Sequence, residues 1–320
     1  MILILSRSDD GSTSKIIDWL FYQRKTFIRL NGNKSHYDIL RINDNEIMIS
    51  INGHELNILM VESVWYRRNG FGQSSFRYNL TKSELKTVFK KETDQFYVYN
   101  QIKDEFKVLF EYLYYLIETN VPKALGSYYK KDINKLITLN QAKNVGLKVP
   151  QSFIVSERSN LGGHFGLITK ALKDGVYYRG KEYDYYSYTE KISDTHDDLP
   201  IKFLPSLVQI EIKKKYELRI FFLKGEVFST VIFSQQNKNA TTDFRKEGHS
   251  VRYLPFALPF EIKEKITLLM ANLGHDIGAV DMIVDQEDNY IFLEINPGGQ
   301  FSYYSDMCNY NLEKKIAELL

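Results

Sequence analysis

The chain has one cysteine, Cys308, in 320 residues. A lone cysteine cannot form an intrachain disulfide or a cysteine-built metal site, and a small core residue is as good a reading of it as a reactive thiol. No sign of charge is in excess, since 42 Lys and Arg stand against 40 Asp and Glu. That balance creates no global basic field, so neither nucleic acid nor a membrane is expected as a partner. No run of about 18 apolar residues occurs. The opening MILILSRSDDG has too short an apolar stretch for a signal peptide and no positive charge ahead of it. A cytoplasmic location is therefore expected. Internal repeats, low-complexity tracts, a Walker or Rossmann glycine fingerprint and a nucleophile elbow are also absent. The six histidines, His36, His54, His164, His196, His249 and His275, show no ligand spacing, and each reads as a surface or loop residue.

What the sequence does have is aromatic weight, 23 Tyr and 20 Phe, in an otherwise ordinary soluble composition of 43% apolar and 26% charged residues. The length allows two or three packed units at roughly 100–200 residues each. ILIL at 2–5 reads as a buried strand leading through a polar loop into a helix, and TFIRL at 26–30, a polar hairpin near 39–51 and a strand at 61–66 extend an α/β pattern. Ile102, Phe106, Leu109, Phe110, Leu113, Leu116 and Ile117 recur at helical spacing and predict a helix over 101–119. Pro122 and Gly126 place the first domain boundary at 125. A second helix is expected over 131–146 with Gly146 as its stop. Strand signals then dominate to about residue 234, followed by a helix at 259–273, a hairpin at 277–296 and a closing amphipathic helix, NLEKKIAELL.

The stretch GAVDMIVDQEDNYIFLEINPGGQ, 278–300, carries the most chemistry. Two apolar strands flank the polar residues Gln286 to Asn289, a hairpin-loop signal. If Asp285 faces Tyr290 across that loop, Asp281 lies opposite Glu294, and Asn296 projects from the same face. Like charges directly opposed on a sheet are destabilising, so this cluster asks for a cation. Oxygen ligands alone suit Mg²⁺ shared with phosphates. The plainer alternative is a surface hairpin with unrelated acids. Upstream lie cations in apolar settings: Lys135 beside Leu136 in the stripe of its helix, Lys170 within GLITKAL, and Arg219 within ELRIFF. Each alone reads as a solvated side chain, but together they match a triphosphate and its metal.

The order of these elements resembles the ATP-grasp superfamily over roughly residues 125–300, with LEINPGGQ as its most specific part. The resemblance implies an α/β fold of mixed α+β character. An N-terminal α/β domain at 1–125 would precede a central ATP-grasp subdomain at 126–205 and a C-terminal one at 206–320. It implies ATP on Lys135, Lys170 and a hinge formed by Gln209, Ile210, Glu211 and Ile212, with Arg219 catalytic and Mg²⁺ on Asp281, Glu294 and Asn296. VWYRRNG at 64–70, KKYELR at 214–219, IFSQ at 232–235, TDFR at 242–245 and the tail CNYNLEKKIAELL are further similar to the graspetide maturases, ATP-grasp ligases of ribosomal peptides. That narrower resemblance puts Asp243 and Arg245 near the acceptor and makes an acidic precursor peptide, leader plus Thr-rich core, the partner. Lys213, Lys214 and Lys215 could face such a peptide, although a solvated hairpin edge explains them more simply. A homodimer is allowed, and no motif requires one.

The reaction implied has two steps: a carboxylate takes the γ-phosphoryl group of ATP, and a hydroxyl or amine displaces phosphate from the acyl phosphate. The catalytic rival is a ligase adding amino acids to a small molecule or a protein C-terminus, like glutathione synthetase or the glutamate ligases. A non-catalytic binding protein of the same fold is the third reading, and the intact acid pair with three cations argues against it.

Overall fold

ILILS at the start of the chain is buried at every position, as expected of a central strand covered on both faces. The computed structural model describes residues 1–34, 36–76, 82–173, 177–179, 183–186, 189–197, 199–233 and 251–320. Contacts divide the chain into two compact units, Met1–Lys131 with Asn311–Leu320, and Asp132–Tyr310.

The first unit begins β1 (Ile2–Ser6), α1 (Gly11–Tyr22) and β2 (Phe27–Asn31). It continues through β3 (Asp38–Asn43), β4 (Glu46–Ile51), β5 (His54–Asn57) and β6 (Ser63–Tyr66) to α2 (Lys82–Val88), α3 (Glu92–Asn120) and β7 (Lys123–Leu125). Strands β2, β1, β6 and β7 form, in that order, a parallel sheet. The polar segment expected as a hairpin is a three-stranded antiparallel sheet, β3-β4-β5. Helix α1 starts where Asp10 accepts a hydrogen bond from Thr13 N, a side-chain cap. Helix α3 is longer than its apolar periodicity predicts, and only its C-terminal half, at Leu113, Tyr114, Leu116 and Ile117, is buried.

The second unit contains α4 (Lys135–Asn144), β8 (Ser152–Glu157), β9 (Leu167–Lys170), β10 (Tyr177–Arg179), β11 (Asp184–Tyr186) and β12 (Glu190–Ile192). After these come β13 (Lys202–Ile210), β14 (Lys214–Leu223), β15 (Glu226–Phe233), β16 (Arg252–Pro255), α5 (Phe260–Leu273), β17 (Ile277–Asp285), β18 (Tyr290–Asn296) and α6 (Ser302–Cys308). The last helix, α7 (Leu312–Leu319), belongs to the first unit. One antiparallel sheet runs β12-β9-β13-β8, a second runs β16-β15-β14-β17-β18, and β10 pairs β11. Alternation sorts the second sheet into two faces. Leu218, Ile220 and Phe222 of β14 and Val280, Met282 and Val284 of β17 join Leu139 and Ala142 of α4 and Ile266, Leu269 and Met270 of α5 in one core. The intervening residues project from the other face. Gly146 adopts φ of +80° just past the end of α4, the left-handed stop expected there. Among the described residues, no helix is long and apolar enough to cross a membrane.

Candidate functional site

On the face of the second sheet away from that core, three charged residues lie side by side on adjacent strands. Arg219 of β14 pairs with Asp281 of β17, and Asp281 pairs with Glu294 of β18. The facing acids expected from the sequence are present, but the hairpin end is one residue out of the expected register. Val284, not Asp285, faces Tyr290, and an irregularity between Asp281 and Met282 restores the pairing at the site. A bulge of this kind re-aims side chains where the sheet carries function. Asn296 ties the acids together, its Nδ2 donating to Asp281 Oδ2 at 3.1 Å and Glu294 Oε1 at 3.3 Å.

Each acid also has a cation. Arg219 Nη1 lies 2.6 Å from both oxygens of Asp281, and its Nη2 donates to the Gln300 carbonyl at 3.4 Å. Burial alone would lower the guanidinium pKa, yet the Asp281 carboxylate outweighs it and leaves Arg219 raised. The Tyr304 ring stands 5.8 Å from the guanidinium carbon. The Tyr304 hydroxyl is pushed up to about 12, chiefly by burial. Arg219 Nε is buried without a partner among the described residues. On the other side, Lys135 Nζ sits 2.9 Å from Glu294 Oε2 and donates to the Ala171 carbonyl at 3.4 Å. Burial pushes Glu294 up, but Lys135, with help from Lys170, holds it below the usual carboxylate range.

Lys135 is not within a helical stripe, as the sequence suggested. It is the first residue of α4, directly after the cap Asn134, whose side chain accepts from Leu136 N and Ile137 N. A cation at a helix N-terminus opposes the macrodipole, so its contact with Glu294 has to outweigh that cost.

The other expected residues fall in different places. Gln209 and Ile210 close β13, with Gln209 buried and donating to Ser152 Oγ at 2.8 Å. The N–H groups of Ile210 and Glu211 donate to the carbonyls of Gln151 and Gly166, and Ile212 follows them into β14. Lys214 is not a solvated hairpin residue: it is buried and bonds Glu217 at 2.7 Å, while Lys215 reaches exposed Asp288. Asp243 and Arg245 lie outside the described residues. His196, read as a surface residue, is buried in a turn with φ of +57°. Cys308 is buried against Thr230 Oγ1 at 3.3 Å.

Tyr304 is not legible in the sequence, because it lies in no periodic or motif-like setting, and the Gln300 carbonyl, although inside LEINPGGQ, is a backbone group that side-chain patterns do not mark. Pro297-Gly298-Gly299 turns the chain after β18, and Gly299 N donates to the Asn296 carbonyl at 2.9 Å. A Cβ on Gly299 would stand 2.6 Å from Ala279 Cβ and 2.9 Å from Arg219 Nη2, so glycine is required beside the guanidinium.

Among the described residues, no three His, Cys, Asp or Glu side chains form a metal-binding group. Two carboxylates and one amide converge here instead, on one sheet face. That oxygen donor set fits Mg²⁺ taking its remaining ligands from phosphates and water.

No family model matches the sequence, and no curated protein matches it. Solved structures do. The chain is similar to the RiPP-associated ATP-grasp ligase of Chryseobacterium gregarium, solved with ADP and a leader and core peptide. That likeness has 24% identity over 100% of this chain and 96% of that one, with a TM-score of 0.82. It is similar to the macrocyclase MdnC of Microcystis aeruginosa, bound with precursor peptide MdnA, at 25% identity over 100% and 99% with a TM-score of 0.77. A looser likeness, at 13% identity over 99% and 96% with a TM-score of 0.55, is to D-alanyl-alanine synthetase A of Vibrio cholerae. These likenesses show the mixed α/β fold of the ATP-grasp ligases.

Proposed function

We infer that this chain, an ATP-grasp ligase by fold, is a graspetide maturase: it activates Asp or Glu side chains of a ribosomal precursor peptide and joins them to Thr, Ser or Lys side chains. The observation that supports this reading most is the row Arg219, Asp281, Glu294 on one sheet face, with Asn296 between the acids and Lys135 and Lys170 beside them. In phosphoryl transfer the protein's part is mostly positioning and charge neutralisation. Asp281, Glu294 and Asn296 would hold Mg²⁺, which supplies neutralisation of the phosphate oxygens. Lys135, Lys170 and Arg219 counter the remaining negative charge, and the buried Nε of Arg219 is a donor suited to an oxyanion. Gln209 to Ile212 form the segment that receives adenine, and Asp243 and Arg245 handle the acceptor.

In the first step an oxygen of the substrate carboxylate bonds to the γ-phosphorus as the bond to the β-phosphate oxygen breaks, and ADP leaves. In the second, a hydroxyl or amine attacks the acyl carbon, loses its proton and expels phosphate. The peptide loses one water per ring. ATP and Mg²⁺ are the only additions required. The partner is an acidic, Thr-rich precursor with its leader, not nucleic acid or membrane, and a cytoplasmic location accords with this reading. In this reading residues 1–125 form an N-terminal domain, 126–205 a central ATP-grasp subdomain and 206–320 a C-terminal one. The similarity to peptide-bound ligases over nearly their whole lengths favours a peptide substrate over a free amino acid.

Incubation with ATP, Mg²⁺ and an acidic precursor peptide, followed by intact mass, tests the reading. Loss of one water per ring is the expected result. ATP hydrolysis with free amino acids and no water loss from any acidic precursor would reject it in favour of an amino-acid ligase.

A further inference from the structure

The parallel sheet of the first unit has a switch point between β1 and β6. The chain leaves β1 through α1 toward β2 on one side and leaves β6 through α3 toward β7 on the other. In open sheets of this kind, ligands bind in the crevice outside the carboxyl ends of the strands at that point. Here the crevice holds charge that the site described above does not use. Asp10 follows β1, and Arg67 and Arg68 follow β6, their N–H groups both donating to the Leu5 carbonyl.

Asp10 is saturated. Its Oδ1 accepts from Thr13 N at 3.0 Å and from the Thr13 hydroxyl at 3.3 Å. Its Oδ2 accepts Arg67 Nε at 3.1 Å and Arg68 Nε at 3.2 Å. Arg67 and Asp10 are almost fully buried, whereas the Arg68 side chain is 31% exposed. Nearby, Arg7 pairs with Asp9, and Arg29 donates to the carbonyls of Arg7 and Asp10. Arg67 and Arg68 therefore share the Asp10 carboxylate, Arg7 holds Asp9, and Arg29 lies on backbone carbonyls beside them. Burial, with the neighbouring Arg68 charge, pulls Arg67 down to about 10 against the opposing pull of Asp10. Among the described residues, no group accepts from Arg68 Nη1 or Nη2, the edge that forms a two-pronged contact with an oxyanion.

The surrounding backbone is fixed. Gly32 N donates to the Ser6 and Asn69 carbonyls, and a Cβ on Gly70 would stand 2.4 Å from Leu5 Cδ2. The loops after β1, β2 and β6 are thus locked together around the arginines.

We propose that Arg68, backed by Arg67 and Asp10, anchors an oxyanion-binding site at the carboxyl end of the N-terminal parallel sheet, taking a carboxylate or a phosphate through its guanidinium fork. The site is independent of the ligase reading, because every residue in it belongs to the first unit.

The test is calorimetric titration of the full chain with inorganic phosphate and, separately, with glutarate, in saturating Mg²⁺ and a non-hydrolysable ATP analogue. Binding of either anion is expected, weakened at least tenfold by Arg68→Met and unchanged by Arg219→Met. Tighter glutarate would identify an acidic side chain as the source, and tighter phosphate a phosphoryl group. Arg68→Met removes a like charge beside Arg67 but also the hydrogen bond to buried Asp10, so it should melt somewhat lower than wild type. Arg68→Lys keeps the charge without the fork and should weaken binding severalfold, which preserves the comparison if the methionine variant does not fold. Failure of both anions to bind, affinity unchanged by either Arg68 substitution, or loss of binding with Arg219→Met would overturn the proposal.

Discussion

Asp281 has two neighbours that pull its behaviour in opposite directions. Facing Glu294 across the sheet, it looks like half of a repelling pair, and removing its charge should then stabilise the empty protein. Bonded to Arg219, it is the counter-charge of a mostly buried guanidinium. The second relation decides, because a charged hydrogen bond within contact distance is stronger than a repulsion already screened by Lys135 on Glu294. Asp281→Asn should therefore lose about 1.5–3 kcal/mol of stability in denaturant unfolding and also lose ATP turnover. Full turnover of this variant in saturating Mg²⁺ would remove Asp281 from the metal site. Asp10 gives a pH prediction. Burial pushes its carboxyl up, but Arg67, the Thr13 N–H and Arg68 outweigh burial and hold it lowered. A depressed carboxylate stabilises the fold above its unfolded pKa of about 3.9, and that stability is lost as pH falls through the lower folded value. Unfolding free energy measured from pH 6 down to 2 should fall on the acid side. Asp10→Asn should be less stable at pH 6 and should show a shallower acid limb, and an unchanged limb would refute the assignment.

At the scale of elements, the hairpin β17–β18 was legible in the sequence because alternation and a polar loop fix which residues share a face. Its bulge was not, since one extra residue in a strand leaves no mark on an apolar pattern. The register at Asp281 came out as read only because that bulge offsets a one-residue shift at the loop. Helix α6 was missed, since SYYSDMC carries no helical apolar period. The start of α4 was misread because Asp132, Ile133 and Asn134 look helical until Asn134 is seen to cap. Cations could be inferred near the site, but which acid each would meet depends on tertiary packing. The glycine turn after β18 makes a direct prediction. Gly299→Ala should cut turnover strongly while the chain still folds, because the new methyl group must displace Ala279 or Arg219. Adding Ala279→Gly removes the closest contact and should recover part of the rate. No change in turnover for Gly299→Ala would show that Arg219 tolerates displacement.

At the scale of the whole molecule, the last ten residues belong with the first 131, so the second unit is an insertion within the first. Leu312 and Ile316 of α7 are buried, Lys25 Nζ donates to the Ala317 carbonyl at 2.7 Å, and Ser63 Oγ donates to the Leu320 carbonyl at 2.7 Å. Deleting residues 311–320 should destabilise the first unit by about 1.5–3 kcal/mol for each of the two buried aliphatic side chains. Hydrogen exchange should report faster exchange in β1 and α1, with α5 and β17 unaffected, and uniform exchange across both units would contradict the division. The insertion also sets an order of events during synthesis. Domains generally fold as they emerge from the ribosome, N-terminal first, but this N-terminal unit lacks a piece of its own core until the final helix is translated. The part of the protein made first is the part completed last, and a nascent chain should hold a finished second unit behind a first unit that still lacks its last helix.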